Sequence, residues 1–222
     1  MSERRLLLVR HGVTAWNREG RFQGHLDPPL SDTGQREAAL LATRIAADGA
    51  LRPTRIMASS LSRARQTADA IAGAVGVGVE ADVRLIEIGQ GEWEGRTHAE
   101  LEHEDAERYR EWRSGAGIRQ PPGGEPIADA DRRVRALLDD LAANDRWPVC
   151  LVSHGGTLRI MAHALLDLRD GRSRAMDVDN ASLSVVAGAG RTWRLDRWND
   201  TLHLLGLEPT HVDEAEGRPL AL

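Results

Sequence analysis

Two histidines in this sequence stand in matched settings. Leu6, Leu7, Leu8 and Val9 form an unbroken apolar run that leads into Arg10-His11-Gly12, and Val149 to Val152 form another that leads into Ser153-His154-Gly155-Gly156. Short apolar runs of this kind read as strands buried on both faces of a parallel sheet. In open α/β sheets, ligands sit in the crevice beyond the carboxyl ends of the strands. Arg10 and His11 would there set a fixed cation beside a nucleophilic imidazole, which suits an anionic substrate. An isolated Arg-His-Gly is more often a solvated arginine and a loop histidine, so the chemistry depends on what else reaches the same edge. Two further groups are candidates. Arg63 falls in the first turn of a helix that follows a short strand, where backbone N–H groups already favour an anion. Glu87, Glu92 and Glu94 lie in one glycine-punctuated loop, residues 84–95.

The elements that must position these residues can be read in order. A loop over residues 18–30 carries Arg21, Gln23 and His25, and its Asp27-Pro28-Pro29 cannot be helical. Ser31 or Asp32 is a helix N-cap, with apolar Ala38, Leu41 and Ile45 at helical spacing before Gly49. A strand over 55–58, a Ser59-Ser60 cap and a helix over 61–74 follow, then a short strand over 77–81. Thr97 and Glu100 form a capping box that opens a polar helical region to about Arg113. His98 and His103, five apart, do not share a helix face as zinc ligands would and read as surface residues. Residues 114–126 read as a long loop that forms part of a lid. A helix over 129–143, a strand over 147–153, a helix over 157–166 and a hairpin of 182–186 with 192–198 complete the pattern. Residues 208–222 read as a poorly ordered tail. No repeat or linker divides the chain, so one domain over 1–222, with its core at about 4–200, is expected.

Composition narrows the function. All 29 basic residues are arginine, which removes Schiff-base, P-loop and kinase-type lysine chemistry and leaves Arg forks to hold any phosphate. The net charge of −5 argues against a general nucleic-acid surface. No apolar run approaches a membrane span, and the four apolar residues before Arg10 are too few for a signal-peptide core, so a cytoplasmic protein with no membrane association is expected. Cys150, the single cysteine, sits in a strand-like run and reads as a small buried hydrophobe.

Taken together, the motifs resemble those of the histidine phosphatase superfamily, the phosphoglycerate mutase-like proteins. Arg10-His11-Gly12 with Thr14 and Asn17, Gly24-x-x-Asp27-x-Pro29-Leu30-Ser31, Ser59-Ser60-Leu61-Ser62-Arg63-Ala64-x-x-Thr67-Ala68, Leu85-x-Glu87-x-x-x-Gly91-x-Trp93-Glu94-Gly95 and Ser153-His154-Gly155-Gly156 occur in the family's order. The resemblance implies a three-layer αβα sandwich with a mostly parallel sheet of about six strands. It implies His11 as nucleophile, forming a phosphohistidine. Arg10, Arg63 and His154 would bind the phosphoryl oxygens, and Glu87 would be the general acid and base, in preference to Glu92 and Glu94. Asn17, Gln23, Gly24 and Gly155 would add polar contacts to the substrate. No metal and no cofactor are implied. The expected partner is a small phosphorylated substrate, and a homodimer is compatible with the sequence. Within the family, the absence of Lys and of a longer insertion before the second histidine resembles the phosphatase branch. A cofactor-dependent phosphoglycerate mutase and a catalytically inactive binding module of the same fold are the alternatives. A cysteine-dependent phosphatase would need Arg six residues after Cys150, where Gly156 stands. An aspartate-dependent one, argued from Asp177-x-Asp179, would need a Lys.

Overall fold

The computed structural model describes residues 4–114, 120–143, 146–168, 176–189 and 192–207. Strands β1 (Arg4–Arg10), β2 (Arg55–Ala58), β3 (Val79–Ala81), β4 (Val149–Ser153), β5 (Leu183–Ala189) and β6 (Thr192–Asp200) form one sheet in the order β3-β2-β4-β1-β5-β6. The first four are parallel; β5 runs antiparallel to β1, and β6 antiparallel to β5. The sheet is therefore mixed and mostly parallel, as the sequence implied.

Successive side chains of a strand point to opposite faces, and β1 shows why its run is apolar throughout. Leu6 and Leu8 enter one core with Leu151 of β4, while Leu7 and Val9 enter the other with Cys150 and Val152. Helices α2 (Asp32–Ala47) and α3 (Ser62–Val75) cover the second core, and α6 (Ile127–Ala142) and α7 (Gly155–Leu166) cover the first. Cys150 is fully buried, and that burial pushes its thiol up to about 12, so it is packing rather than chemistry.

Several local readings are corrected. The expected Ser59-Ser60 cap is absent: Leu61 occupies the N-cap of α3 and offers no side-chain bond. Asp27 supplies the carboxylate instead, accepting from Ser62 N and from Ser62 Oγ, each at 2.7 Å. The polar helical region is two helices, α4 (His98–Glu104) and α5 (Ala106–Ser114), separated at Asp105, whose carboxylate accepts from Trp93 Nε1 at 2.9 Å. His98 is not a surface residue. Its ring packs 4.6 Å from that of Phe22, its Nδ1 lies 2.9 Å from Tyr109 Oη, and burial draws its pKa down to about 4. Phe22, Trp93, Leu101, Tyr109 and Trp112 form a small separate core beneath the 84–95 loop. Of the expected lid, residues 115–119 lie outside the described residues, as does the expected tail. The described part of the lid packs on the 84–95 loop: Glu92 N donates to Pro122 O and Glu125 N to Gly89 O, both at 2.9 Å.

Candidate active site

The strands that carry the two histidines are neighbours. In the β1–β4 register Arg10 lies opposite Ser153, and His11 N continues the ladder by donating to Ser153 O at 3.1 Å. His11 and His154 are thus the next pair beyond the strand ends, their ring centroids 5.1 Å apart. His11 Nδ1 lies 2.7 Å from Gly12 O. A carbonyl only accepts, so the bond assigns the proton to Nδ1 and leaves the lone pair on Nε2. Burial first, then the Arg63 and Arg10 charges, hold the His11 pKa well below 6.5. The imidazole is therefore neutral at neutral pH. Gly12 is demanded by packing. A Cβ there would stand 2.5 Å from Gly34 O, so the glycine allows the post-β1 loop to press against the start of α2.

Arg63 is fully buried. Its Nη1 donates to Leu26 O at 2.8 Å and its Nη2 to Gly24 O at 2.9 Å, which anchors the 24–26 loop over the edge. Its Nε donates to His154 Nδ1 at 3.2 Å. His154 Nε2, 2.8 Å from Ser59 Oγ, therefore carries the ring proton. Burial leads the causes that hold His154 well below 6.5, followed by Arg63, His11, Arg10 and Arg133. Burial also pulls Arg63 down to about 10. Arg10 Nη1 donates to Val178 O at 2.5 Å.

Glu87 is fastened to the first turn of α7. Its Oε1 accepts from Ile88 N at 2.9 Å and Thr157 N at 3.1 Å, and its Oε2 from Gly156 N at 3.3 Å. The rival carboxylates are elsewhere. Glu94 Oε1 accepts from Gln90 N at 2.9 Å and His25 N at 3.0 Å, bracing the 24–26 loop, and Glu92 is exposed. Gly24, at φ +50°, is required there because a Cβ would meet Glu94 Oε1 at 2.1 Å.

Asn17 closes a capping box on α1 (Ala15–Arg18). Its Oδ1 accepts from Thr14 N and Thr14 Oγ1, both at 3.0 Å, which leaves Nδ2 as the donor end with no partner among the described residues. Gln23 Oε1 is buried without a hydrogen-bond partner among the described residues. The structure thus gathers His11, Arg10, Arg63, His154 and Glu87 at one edge, with Asn17, Gly24 and Gly155 around them. A Cβ at Gly155 would touch the Arg10 guanidinium at 3.7 Å.

Sequence reading missed four supports. Asn180, buried, donates from Nδ2 to His11 O at 3.0 Å and reaches Gly12 O and Asn17 Oδ1, each at 3.4 Å. Arg133 forks onto Glu125 at 2.8 and 3.0 Å and donates to Arg84 O at 2.7 Å. Ser59 orients His154, and Arg159 ties α7 to the segment that holds Arg10 by donating from Nε to Met176 O at 2.9 Å. None had a local signal, because each acts across elements far apart in sequence. Among the described residues no cluster of three or more His, Cys, Asp and Glu side chains is arranged to hold a metal, and no helix is long and apolar enough to cross a membrane.

This sheet and this edge are those of an α/β enzyme of the histidine phosphatase kind. The model of the histidine phosphatase superfamily (branch 1) matches residues 6–201, and the chain belongs to that family. It is 35% identical over 217 residues to glucosyl-3-phosphoglycerate phosphatase of Mycobacterium tuberculosis, covering 90% of this chain and 96% of the relative. It is 37% identical over 207 residues to a probable phosphoglycerate mutase GpmB of Yersinia enterocolitica, covering 90% and 94%. Among solved structures, mycobacterial glucosyl-3-phosphoglycerate phosphatase in complex with VO3 matches with a TM-score of 0.80 at 38% identity, covering 88% of this chain and 98% of that one. A putative alpha-ribazole-5'-P phosphatase from Escherichia coli matches with a TM-score of 0.80 at 28% identity, covering 89% and 97%.

Proposed function

We propose that this protein hydrolyses small phosphomonoesters through a phosphohistidine on His11, without a metal. The observation that carries the reading is the His11 Nδ1–H bond to Gly12 O at 2.7 Å. It leaves the lone pair on Nε2, and it keeps a carbonyl against the ring nitrogen that becomes more positive as Nε2 bonds to phosphorus.

In the first step His11 Nε2 attacks phosphorus and the P–O ester bond breaks. Its electrons go to the leaving oxygen, which takes a proton from protonated Glu87. In the second step water attacks phosphorus and gives a proton to the Glu87 carboxylate, and the P–N bond breaks with its electrons returning to Nε2. Arg10 and Arg63 balance the charge on the phosphoryl oxygens, neutral His154 steadies the Arg63 guanidinium beside them, and the Nδ2 end of Asn17 is a further donor. Arg10 and the buried Arg63 supply the positive charge that a metal supplies elsewhere.

Relatives of similar identity are named phosphatase and mutase, at 35% and 37%. Transfer to water is favoured because the chain has no Lys and continues from Trp93-Glu94-Gly95 directly into α4. The test is to incubate the enzyme with 3-phosphoglycerate and a trace of 2,3-bisphosphoglycerate, with and without a chelator. Phosphate release insensitive to chelator is expected. Isomer exchange with negligible phosphate, or activity lost to chelator and restored by a divalent ion, would overturn the reading.

A further inference from the structure

The proton on His11 Nδ1 rests on a peptide group that is itself held at its other end. Gly12 O, which accepts from His11 Nδ1 at 2.7 Å, and Val13 N belong to one planar peptide. Val13 N donates to Glu37 Oε2 at 2.7 Å. A carboxylate, one backbone amide and the nucleophile's ring are therefore joined in series by two short hydrogen bonds. Two glycines bring them together. A Cβ at Gly12 would stand 2.5 Å from Gly34 O, and one at Gly34 would stand 2.1 Å from Val13 O. The loop after β1 and the start of α2 thus touch through backbone alone. Glu37 follows Gly34 by three residues and shares its helix face, within reach of Val13 N.

Satisfying a buried amide does not require a charge. The preceding donor of the same loop, Gly12 N, is met by a neutral hydroxyl, Thr67 Oγ1, at 3.1 Å. Thr67 and Glu37 are both fully buried, and burying a carboxylate costs far more than burying a hydroxyl. What the carboxylate adds is polarisation. Hydrogen bonds in a chain strengthen one another, and a low-dielectric interior enlarges the effect. A negative group on Val13 N–H raises the negative charge on Gly12 O, and with it the hold on the Nδ1 proton.

The reaction uses that hold. As Nε2 gives its lone pair to phosphorus, the ester P–O bond breaks and its electrons leave with the oxygen. The Nδ1 proton stays, because the carbonyl only accepts a hydrogen bond. The ring is then positive until water displaces it and the P–N electrons return to Nε2. The Arg63 and Arg10 charges oppose a positive ring. A carboxylate one peptide away favours it.

We infer that Glu37 is a positioning residue for the nucleophile, acting through the Gly12–Val13 peptide to stabilise the positive phosphohistidine ring. This rests on the phosphohistidine reading, and the experiment separates the two. The substrate is 32P-labelled p-nitrophenyl phosphate, whose leaving group departs without proton help, so the first step reports nucleophilic attack. With enzyme in excess, nitrophenolate appearance times that step, and the rise and fall of label on the protein gives the second.

Glu37→Gln keeps an oxygen for Val13 N and removes the charge. It should slow the first step roughly 5- to 50-fold, the scale of one partly screened charge at this range. It should quicken the second step by about 2- to 10-fold, because the positive ring is a less stable starting point without the carboxylate. A merely structural part for Glu37 would misplace the ring and slow both steps. A second step unchanged or slowed, or a first step within about twofold of wild type, would overturn the assignment. Glu37→Asp keeps the charge one methylene farther back. It should show smaller changes of the same two signs, and it carries the test where Glu37→Gln does not fold. If wild type forms no phosphohistidine, that reading fails, and the resting enzyme still decides the part played by Glu37. The His11 Nδ1–H proton resonance should move upfield in Glu37→Gln, as a weaker hydrogen bond requires, and an unmoved resonance refutes the polarisation.

Discussion

Gly156 N–H donates to the Glu87 carboxylate at 3.3 Å, and the same glycine leaves no room for anything larger: a Cβ would lie 2.8 Å from Glu87 Oε1 and 2.8 Å from Ile88 Cδ1. The second glycine of the His154-Gly155-Gly156 motif is thus a seat for the carboxylate. Gly156→Ala must displace Glu87 while keeping every titratable group. Positioned proton transfer is worth ~10²–10⁴-fold, and it matters most when the leaving group is poor. Single-turnover phosphorylation by an alkyl phosphate should slow by about 10²-fold or more, with a much smaller effect on p-nitrophenyl phosphate. Glu87→Gln should show the same pattern. An equal loss on both substrates would show that Glu87 does not protonate the leaving oxygen.

Asn180 ties the nucleophile's backbone, the carbonyl that orients its ring and the Asn17 amide into one knot. Asn180→Asp sets a carboxylate oxygen against those three acceptors. A buried mismatch of this kind costs about 1–3 kcal/mol. The kcat should fall by a comparable factor, roughly 5- to 150-fold, while KM changes little. In an NMR titration the His11 pKa should rise, because a negative charge now faces it. An unchanged His11 titration with wild-type kcat would rule out the positioning role.

The pH dependence of stability has a definite sign. His11 and His154 are buried and hold folded pKa values well below 6.5, chiefly through burial. Below about pH 6.5 the unfolded chain takes up protons on these imidazoles and the folded chain does not. Stability is therefore full above pH 6.5 and falls as pH drops below it. From pH 7 to pH 5 each imidazole should remove up to about 2 kcal/mol. Urea unfolding of wild type should show this loss, and the His11→Asn, His154→Asn double variant should show less of it. Identical pH slopes would contradict the buried, neutral state of the pair.

Much of this was legible in the sequence because it is local. The Leu6–Val9 run announced a two-sided strand, and the two His-Gly endings and Glu87 fell where the motifs put them. What escaped reading is contact across the fold. The cap of α3 comes from Asp27, 35 residues earlier. Asn180 lies 169 residues after His11, whose carbonyl it holds. His98 looked like a surface residue because a polar helix carries it, yet Phe22 and Tyr109 half-bury it. Gly12 illustrates a subtler limit: its type was noticed, but the reason, close approach to Gly34, needs the second chain segment to be in place.

The central claim is that His11 Nε2 takes the phosphoryl group. It is tested most directly by rapid acid-free quench of the enzyme with 32P-labelled substrate, followed by mapping the label and assigning the ring nitrogen by NMR. The expected result is a base-stable, acid-labile phosphohistidine at His11, bonded through Nε2, formed at least as fast as turnover and absent from His11→Ala. Undiminished turnover by His11→Ala, a label on another residue, or a phosphohistidine bonded through Nδ1 would contradict it.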